Sequence, residues 1–185
     1  MSKIVPFLEF PKIPRLYRDI IITEKIDGTN AVIFVPEQDE QPVLAGSRSR
    51  WLSPGKDTDN FTFAQWVREH EQELRVGLGP GYHYGEWWGL GIQRGYGINE
   101  KRFSLFNTTR WVGKAPVCCG VTPVIYEGEF SAEAIRYALA LLDSAGSIAA
   151  PDFKPAEGIV VYHSASNALF KVTLKNDRVP KGLDK

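Results

Sequence analysis

Residues 23–30 read Thr-Glu-Lys-Ile-Asp-Gly-Thr-Asn and lie between two apolar runs rich in isoleucine and valine. Such runs predict β-strands, so a single lysine, Lys25, is expected at the mouth of two strands. An Asp-Gly pair is a strong turn signal, and a plain hairpin with an exposed lysine is one interpretation. The other is a ligand pocket, in which a positive φ at Gly28 lets a ligand approach the backbone. Polar contacts to that ligand are expected from Asp27, Thr29 and Asn30.

A short strand predicted within residues 42–52 runs into the sequence Ser-Arg-Ser-Arg. If the strand continues through this run, Arg48 and Arg50 fall on one face, where their guanidinium groups can grip a phosphate. A solvated edge strand is the alternative explanation. The position of the run, between the lysine stretch and the motifs described next, favours a functional role.

Glu86 is the single carboxylate of an aromatic strand predicted at residues 82–89. Because such a strand is mostly buried and a buried carboxylate needs a partner, Glu86 is expected to face a ligand or a cation. A strand-end glutamate exposed to water is the alternative. In the next predicted strand, residues 101–107, alternation places Phe103 and Phe106 on opposite faces. One ring could stack on a purine, and core packing is the competing explanation for either ring.

A pair of predicted strands near the end of the chain carries further charged groups. Glu157 opens the apolar strand that runs to residue 162, and Lys171 emerges from the strand at residues 169–175. Alternation places Lys171 and Lys175 on one face. Chemistry on phosphates needs such cations and a carboxylate able to hold Mg²⁺.

Two helices and a loop complete the predicted elements. Apolar periodicity predicts an amphipathic helix over residues 61–76 that ends at Gly77. A second helix is expected over residues 132–143, with Ser131 as its N-cap. The spaced glycines of residues 89–97 lack the strand-to-helix context of a dinucleotide-binding motif and predict a flexible loop.

The composition is that of one ordinary globular domain. Of 185 residues, 43% are hydrophobic, and 22 basic residues balance 22 acidic ones, which argues against a tight, nonspecific, salt-driven nucleic-acid binder. No apolar run is long enough to span a membrane or to form a signal peptide. Cys118 and Cys119 are adjacent and would point to opposite faces of a strand, which argues against a disulfide and for a reducing, cytoplasmic location.

The order of these motifs resembles the covalent nucleotidyltransferase superfamily, which includes ATP-dependent polynucleotide ligases and mRNA capping enzymes. The resemblance runs from Thr23 to Lys175. The chain looks closest to the phage and bacterial nick-sealing RNA ligases, which usually have a glutamate before the lysine and an asparagine at the end of the motif, as Glu24 and Asn30 are here. It implies an α+β fold of antiparallel sheets flanked by helices, the ATP-grasp-like nucleotidyltransferase (adenylation) domain of polynucleotide ligases, with the nucleotide between the sheets. Because ten residues follow Lys175, we expect a single adenylation domain over residues 1–185, without a C-terminal OB-fold or helical domain.

The resemblance also implies a role for each motif. Lys25 is the nucleophile, Lys171 is a second catalytic cation, and Glu157 is a ligand of Mg²⁺ or Mn²⁺. Glu86 is expected to bind the ribose and Phe106 to stack on the adenine. The family's last motif usually has two lysines separated by one residue, whereas the separation here is three residues. The full set of expected nucleotide contacts is Glu24, Ile26, Asp27, Gly28, Asn30, Arg48, Arg50, Glu86, Phe106, Glu157, Lys171 and Lys175.

The implied reaction is the ATP-dependent joining of a 5′-phosphate to a 3′-hydroxyl. Lys25 attacks ATP to form lysyl-AMP, the AMP passes to the 5′-phosphorylated strand end, and the 3′-hydroxyl displaces it. A free lysine has a pKa of about 10.4, so Lys25 needs activation, which is expected from Mg²⁺ and from the cation of Lys171. The resemblance favours RNA over DNA, and a partner protein or a domain in trans is expected to help bind the template.

Four other functions fit part of this pattern. A minimal DNA ligase, a GTP-using capping-type guanylyltransferase and a catalytically silent ATP-binding module would share the pocket, whereas an interaction protein would need no nucleotide. Thermal shifts with ATP, GTP and Mg²⁺ separate these classes, because a ligand at 100 times its Kd adds about 2.7 kcal/mol of stability.

Overall fold

The computed structural model describes residues 6–175 and 177. Within that part of the chain the fold contains ten strands and four helices. In chain order they are β1 (Asp19–Lys25), β2 (Thr29–Val35), β3 (Leu44–Gly46), β4 (Trp51–Leu52), α1 (Phe63–Glu69), α2 (Glu71–Leu78), β5 (Gly81–Gly89), β6 (Lys101–Leu105), α3 (Thr108–Trp111), β7 (Cys119–Val121), β8 (Val124–Glu129), α4 (Ala132–Ala145), β9 (Gly158–His163) and β10 (Ala168–Thr173).

The strands form two sheets. The four-stranded sheet has the order β10-β9-β1-β8, and the six-stranded sheet has the order β4-β3-β2-β5-β6-β7. Neighbouring strands are antiparallel except for β6 and β7, which are parallel. The predicted α+β fold of antiparallel sheets flanked by helices is therefore confirmed, with this one parallel pair as an addition.

The strands on either side of the lysine stretch do not pair with each other, so the hairpin interpretation is wrong. Strand β1 lies between β8 and β9, and β2 lies between β3 and β5, so that neither has a free edge for the other. Residues 26–28 therefore cross from one sheet to the other. The lysine stretch joins the two halves of the fold, which places Lys25 where the sheets meet.

Each sheet buries one face under helices and leaves the other face for the site. The six-stranded sheet packs residues such as Ile33 and Phe103 against Val67 of α1 and Leu74 of α2. The four-stranded sheet packs apolar residues of β1 and β9 against α4 in the same way. Burying a side chain of this size stabilises the fold by about 1.5–3 kcal/mol. Because side chains alternate along a strand, the residues between these core positions point to the opposite faces.

Two of the smaller predictions need correction, and the predicted N-cap is confirmed. The helix predicted over residues 61–76 is broken at His70, and its second half ends at Leu78, followed by the C-cap Gly79, whose φ of 69° favours glycine. Gly77 lies inside α2 and does not end it. Glycine is required at this position because a Cβ atom would collide with Pro116. The N-cap of α4 is Ser131, as predicted. Both cysteines are free, and no helix of the described residues is long and apolar enough to cross a membrane.

Candidate active site

Lys25 and Glu157 form an ion pair where β1 ends and β9 begins. Lys25 lies opposite Gly158 in the register of the two strands, so the residue before β9 is next to it. The Lys25 Nζ atom is 2.6 Å from Glu157 Oε2, and the two side chains are 21% and 6% exposed. The alternative of an exposed lysine is wrong, because Lys25 pairs with a nearly buried carboxylate, and its 21% exposure leaves it accessible to a ligand.

Glu86 binds the lysine stretch from the other sheet. Its Oε1 atom accepts a hydrogen bond from the Gly28 N–H at 3.1 Å, and its Oε2 atom accepts one from Asn30 Nδ2 at 3.3 Å. Burial raises the pKa of Glu86 to about 7, although the nearby positive charge of Lys25 acts in the opposite direction. Glu86 is buried, so the alternative of a strand-end glutamate exposed to water is wrong, and its contact with a ligand or a cation stays a prediction.

Gly28 is required for a different reason from the one expected. It does not adopt the positive φ that the pocket interpretation assigned to it. A Cβ atom built on it would lie 2.8 Å from Trp88 Cβ and would overlap the Trp87 carbonyl oxygen. The backbone of β5 therefore passes directly beside residue 28. Glycine is needed so that the loop can reach Glu86 and not to shape a tight turn.

Asp27 is held by the glycine-rich loop at residues 89–97, which was predicted to be flexible. Arg94 donates from Nε to Asp27 Oδ2 at 2.7 Å, and its Nη1 atom donates to the carbonyls of Pro155 and Ala156. The buried Tyr96 accepts the Asp27 N–H at 2.6 Å through its hydroxyl. The predicted loop is confirmed from residue 90 to residue 97, but its predicted flexibility is contradicted by these contacts, which tie Asp27 to the segment just before Glu157.

Glu24 points to the face of β1 opposite Lys25, as alternation along the strand requires, and Ile26, just after the strand, is also buried. The Glu24 carboxylate is 1% exposed and is occupied by three donors, which are Ser147 Oγ at 2.5 Å and two backbone N–H groups at 2.8 and 2.9 Å. Ile26 is buried in a small cluster with Trp88, Tyr96 and Ala150. Both side chains therefore hold the lysine strand in place and do not line the cleft.

The two arginines of the Ser-Arg run have separate partners. Arg48 donates from Nε and Nη2 to Asn30 Oδ1 at 3.1 and 2.7 Å, which brings it to the site. Arg50 donates to the carbonyl of Thr58. The prediction that both share one strand face is wrong, because β3 ends at Gly46 and residues 47–50 form a turn to which alternation does not apply.

The remaining predicted residues lie around this cleft. Lys171 pairs with Val160, which pairs in turn with Thr23, so Lys171 shares a sheet face with Lys25. The Cα atoms of Lys171 and Lys25 are roughly 12 Å apart, because they are separated by two strand spacings across the sheet and by two residues along it. Lys175 lies beyond the end of β10, so its predicted place in that strand is wrong. Phe106 is exposed and its contact with adenine stays a prediction.

The described residues contain no group of three or more His, Cys, Asp or Glu side chains arranged to hold a metal ion. A metal at this site could therefore take only one or two protein carboxylates. Glu157, which pairs with Lys25, and Glu86, whose carboxyl group interacts with the charge of Lys25, are the buried candidates. Mg²⁺ is commonly bound in this way, because it keeps several waters and takes the remaining oxygens from phosphates.

Comparison with known proteins identifies the family. A family model described as RNA ligase matches residues 18–173, a range that includes Lys25, Glu86, Glu157 and Lys171. The chain belongs to the RNA ligase family. The predicted membership of the nucleotidyltransferase superfamily is thus confirmed. No curated protein matched the sequence.

Solved structures of an RNA ligase from Naegleria gruberi have the same fold as this family member. One mutant with ATP and Mn aligns with a TM-score of 0.62 at 16% identity, over 86% of this chain and 51% of that one. A mutant with AMP and Mn gives a TM-score of 0.60 at 17% identity, over 85% and 50% of the two chains. The chain thus spans about half the length of the ligase that it resembles.

Proposed function

We propose that this chain is the adenylation domain of an ATP-dependent RNA ligase and that Lys25 is the residue that bonds to AMP. The observation that carries the proposal is the 2.6 Å pair of Lys25 and Glu157 in the cleft where the two sheets meet. Family membership supports it, as do the Naegleria gruberi structures with ATP or AMP and Mn.

In the first step, the Lys25 nitrogen attacks the α-phosphorus of ATP. The N–P bond forms, the bond from the α-phosphorus to its bridging oxygen breaks, and pyrophosphate leaves with the electron pair. The attacking amine must lose its protons, and Glu157 Oε2 is close enough to accept one. An adjacent carboxylate also stabilises the ammonium form of a lysine, so Lys25 attacks only after Glu157 has taken a proton or another cation.

The proposed nucleotide contacts follow from the two open sheet faces. Glu86 would bind the ribose hydroxyls, Arg48 and Lys171 the phosphates, and Phe106 the adenine. Glu24 and Ile26 would contact the nucleotide only through their backbone, because both side chains are buried elsewhere. The other proposed contacts are Asp27, Gly28, Asn30, Arg50, Glu157 and Lys175.

The residues of the cleft fit a divalent metal ion, and we infer that it is Mg²⁺ or Mn²⁺. Glu157 would hold it, with Glu86 as the second nearby carboxylate. When bound, such an ion polarises the α-phosphate and neutralises charge on the leaving pyrophosphate. The chain's own contribution is to hold Lys25 and a carboxylate at this position.

The later steps would transfer AMP to a 5′-phosphate and join the end to a 3′-hydroxyl, with RNA preferred to DNA. We propose that residues 1–185 act as one adenylation domain and that a partner protein or domain in trans contributes template binding. A role in RNA repair in a reducing cytoplasm agrees with two free thiols, Cys118 and Cys119, 3.8 Å apart.

Label transfer from α-³²P-labelled ATP to the protein, in the presence of Mg²⁺ or Mn²⁺, tests the proposal. The unaltered protein is expected to carry a covalent label on a denaturing gel, and Lys25→Ala is expected to carry none. Lys114→Ala, which removes an exposed lysine, is the matched control and should label normally. Label that persists in Lys25→Ala would show that another residue is the nucleophile, and labelling by GTP in place of ATP would favour a capping-type enzyme.

A further inference from the structure

The open face of the six-stranded sheet continues beyond Glu86 as a row of aromatic side chains. Alternation along β5 puts Tyr84 and Tyr82 on the same face as Glu86, opposite the face that packs on α1 and α2. Both tyrosines are more than half exposed, at 59% and 54%. Phe34 lies opposite Tyr82 on β2, and Trp51 of β4 completes the set. We call these four residues the aromatic row.

The rings of the aromatic row are in contact with one another. Those of Tyr82 and Tyr84 lie 6.2 Å apart between centroids and within 12° of parallel. The Tyr82 ring is 4.6 Å from that of Phe34 and 6.4 Å from that of Trp51. Trp51 can lie across β3 because residue 46 is glycine, where a Cβ atom would be 3.1 Å from the indole ring. Glycine at position 46 thus leaves room for the exposed Trp51 side chain.

The aromatic row is too large and too exposed to be explained as core. Trp51 is 49% exposed, and no helix or strand of the described residues covers the row. Contiguous exposed apolar patches on a soluble fold mark sites of interaction. The row begins at Tyr84, two residues from Glu86 on the same strand. A ligand bound to the row would therefore extend from the candidate active site.

The charges near the aromatic row select a negatively charged occupant. Arg48 and Arg50 lie in the turn that leads into Trp51, and Arg48 reaches Asn30 beside Glu86. The acidic loop at residues 37–40 is held on the helix side of the sheet, where Arg75 of α2 pairs with Asp39 and donates to the neighbouring Gln41 carbonyl. The open face therefore combines aromatic rings with an arginine edge.

We propose that the aromatic row binds unpaired nucleotides of the strand whose end is joined. This inference rests on the proposed function and specifies its substrate. Arginines that follow the backbone and aromatic rings that stack on bases are the usual means of binding single strands. Bases in a duplex are already stacked on each other and are not available to these rings. From Glu86 to Tyr82 the strand rises about 13 Å, the length of roughly four stacked bases.

Fluorescence anisotropy with a labelled single-stranded RNA of 12 nucleotides tests the inference, with a blunt duplex of the same strand for comparison. Tyr82→Ala and Trp51→Ala are each expected to weaken single-strand binding by about 5- to 150-fold. Tyr82→Phe should bind normally because it keeps the ring, whereas Tyr82→Leu, which keeps apolar volume, should bind as weakly as alanine. Tyr137→Ala, an exposed tyrosine on α4, is the matched control.

The outcomes separate this inference from the proposed function. Unchanged lysine labelling with ATP in Tyr82→Leu, together with weakened RNA binding, is the expected result. If Tyr82→Leu labels normally and binds the single strand within twofold of the control, the inference is overturned. Equal affinity of the unaltered protein for the duplex and the single strand would also overturn it. Absence of labelling with Tyr82-dependent binding would overturn only the proposed function. A dimer that Trp51→Ala dissociates would assign this face to a second copy of the chain and overturn the inference.

Discussion

Replacing Glu86 by Gln should remove a specific pH dependence of stability. Burial raises the pKa of this carboxyl from 4.5 to about 7. The unfolded chain therefore loses the proton near pH 4.5, whereas the native protein keeps it until near pH 7. Because the native state binds more protons between these values, the free energy of unfolding falls as the pH rises through them. Linkage gives a loss of about 2.5 kcal/mol between pH 5 and pH 8.

Urea unfolding of both proteins at pH 5, 6, 7 and 8 measures this loss. The other titrating groups are common to both, so the difference between the two free energies at each pH isolates Glu86. Glutamine has no charge to bury, and the unaltered protein should lose about 2.5 kcal/mol relative to Glu86→Gln over this range. Glu37→Gln, at an exposed position, should show no such divergence.

Two results would refute the reasoning. A difference that stays constant within about 0.5 kcal/mol would mean that the hydrogen bonds from Gly28 and Asn30, with the charge of Lys25, offset the cost of burial. A difference of opposite sign would mean that these partners stabilise the carboxylate by more than burial penalises it.

Three further predictions follow from contacts around Lys25. Gly28→Ala should lower stability by about 1–3 kcal/mol, measured by urea unfolding, because its Cβ atom would collide with the β5 backbone; an unchanged midpoint would contradict this contact. Glu24→Ala should lower stability by about 3 kcal/mol, since it leaves three donors without their acceptor; a loss below 1 kcal/mol would contradict the buried network. Arg94→Ala should slow lysine labelling with ATP by about 10- to 100-fold through misplacement of Asp27, whereas the exposed Arg136→Ala should label normally. Equal rates for Arg94→Ala and Arg136→Ala would show that Arg94 does not position the site.

The residues of the cleft could be predicted from sequence to the extent that they lie on strands with a clear pattern. Glu86 places a charge within an apolar strand, and Lys25 and Glu157 place charges at the ends of two others. A buried charge needs partners wherever the strand lies. The pairing of the strands was not readable in this way. An Asp-Gly turn looks the same whether the two strands form a hairpin or enter different sheets, since strand partners are distant in sequence.

Arg94 and Glu24 illustrate two kinds of missed information. The sequence of residues 89–97 does not indicate that Arg94 contacts Asp27, because that contact depends on how β5 and β9 approach each other. A tyrosine and an isoleucine among the glycines were the available sign of an ordered loop. For Glu24 the signal was present, since alternation along β1 already required adjacent side chains to point to opposite faces.

The proximity of Glu157 also changes the account of how Lys25 is activated. From the sequence, the cation of Lys171 is expected to disfavour the ammonium form of Lys25. Coulomb energy falls with distance, and the Glu157 oxygen is 2.6 Å away, whereas Lys171 is separated by roughly 12 Å at Cα. Before ATP binds, the Glu157 carboxylate is in direct contact with Lys25, whereas Lys171 lies two strands away across the sheet. Lys171 is therefore better placed to hold phosphate oxygens, and release of Lys25 must come from a change at Glu157.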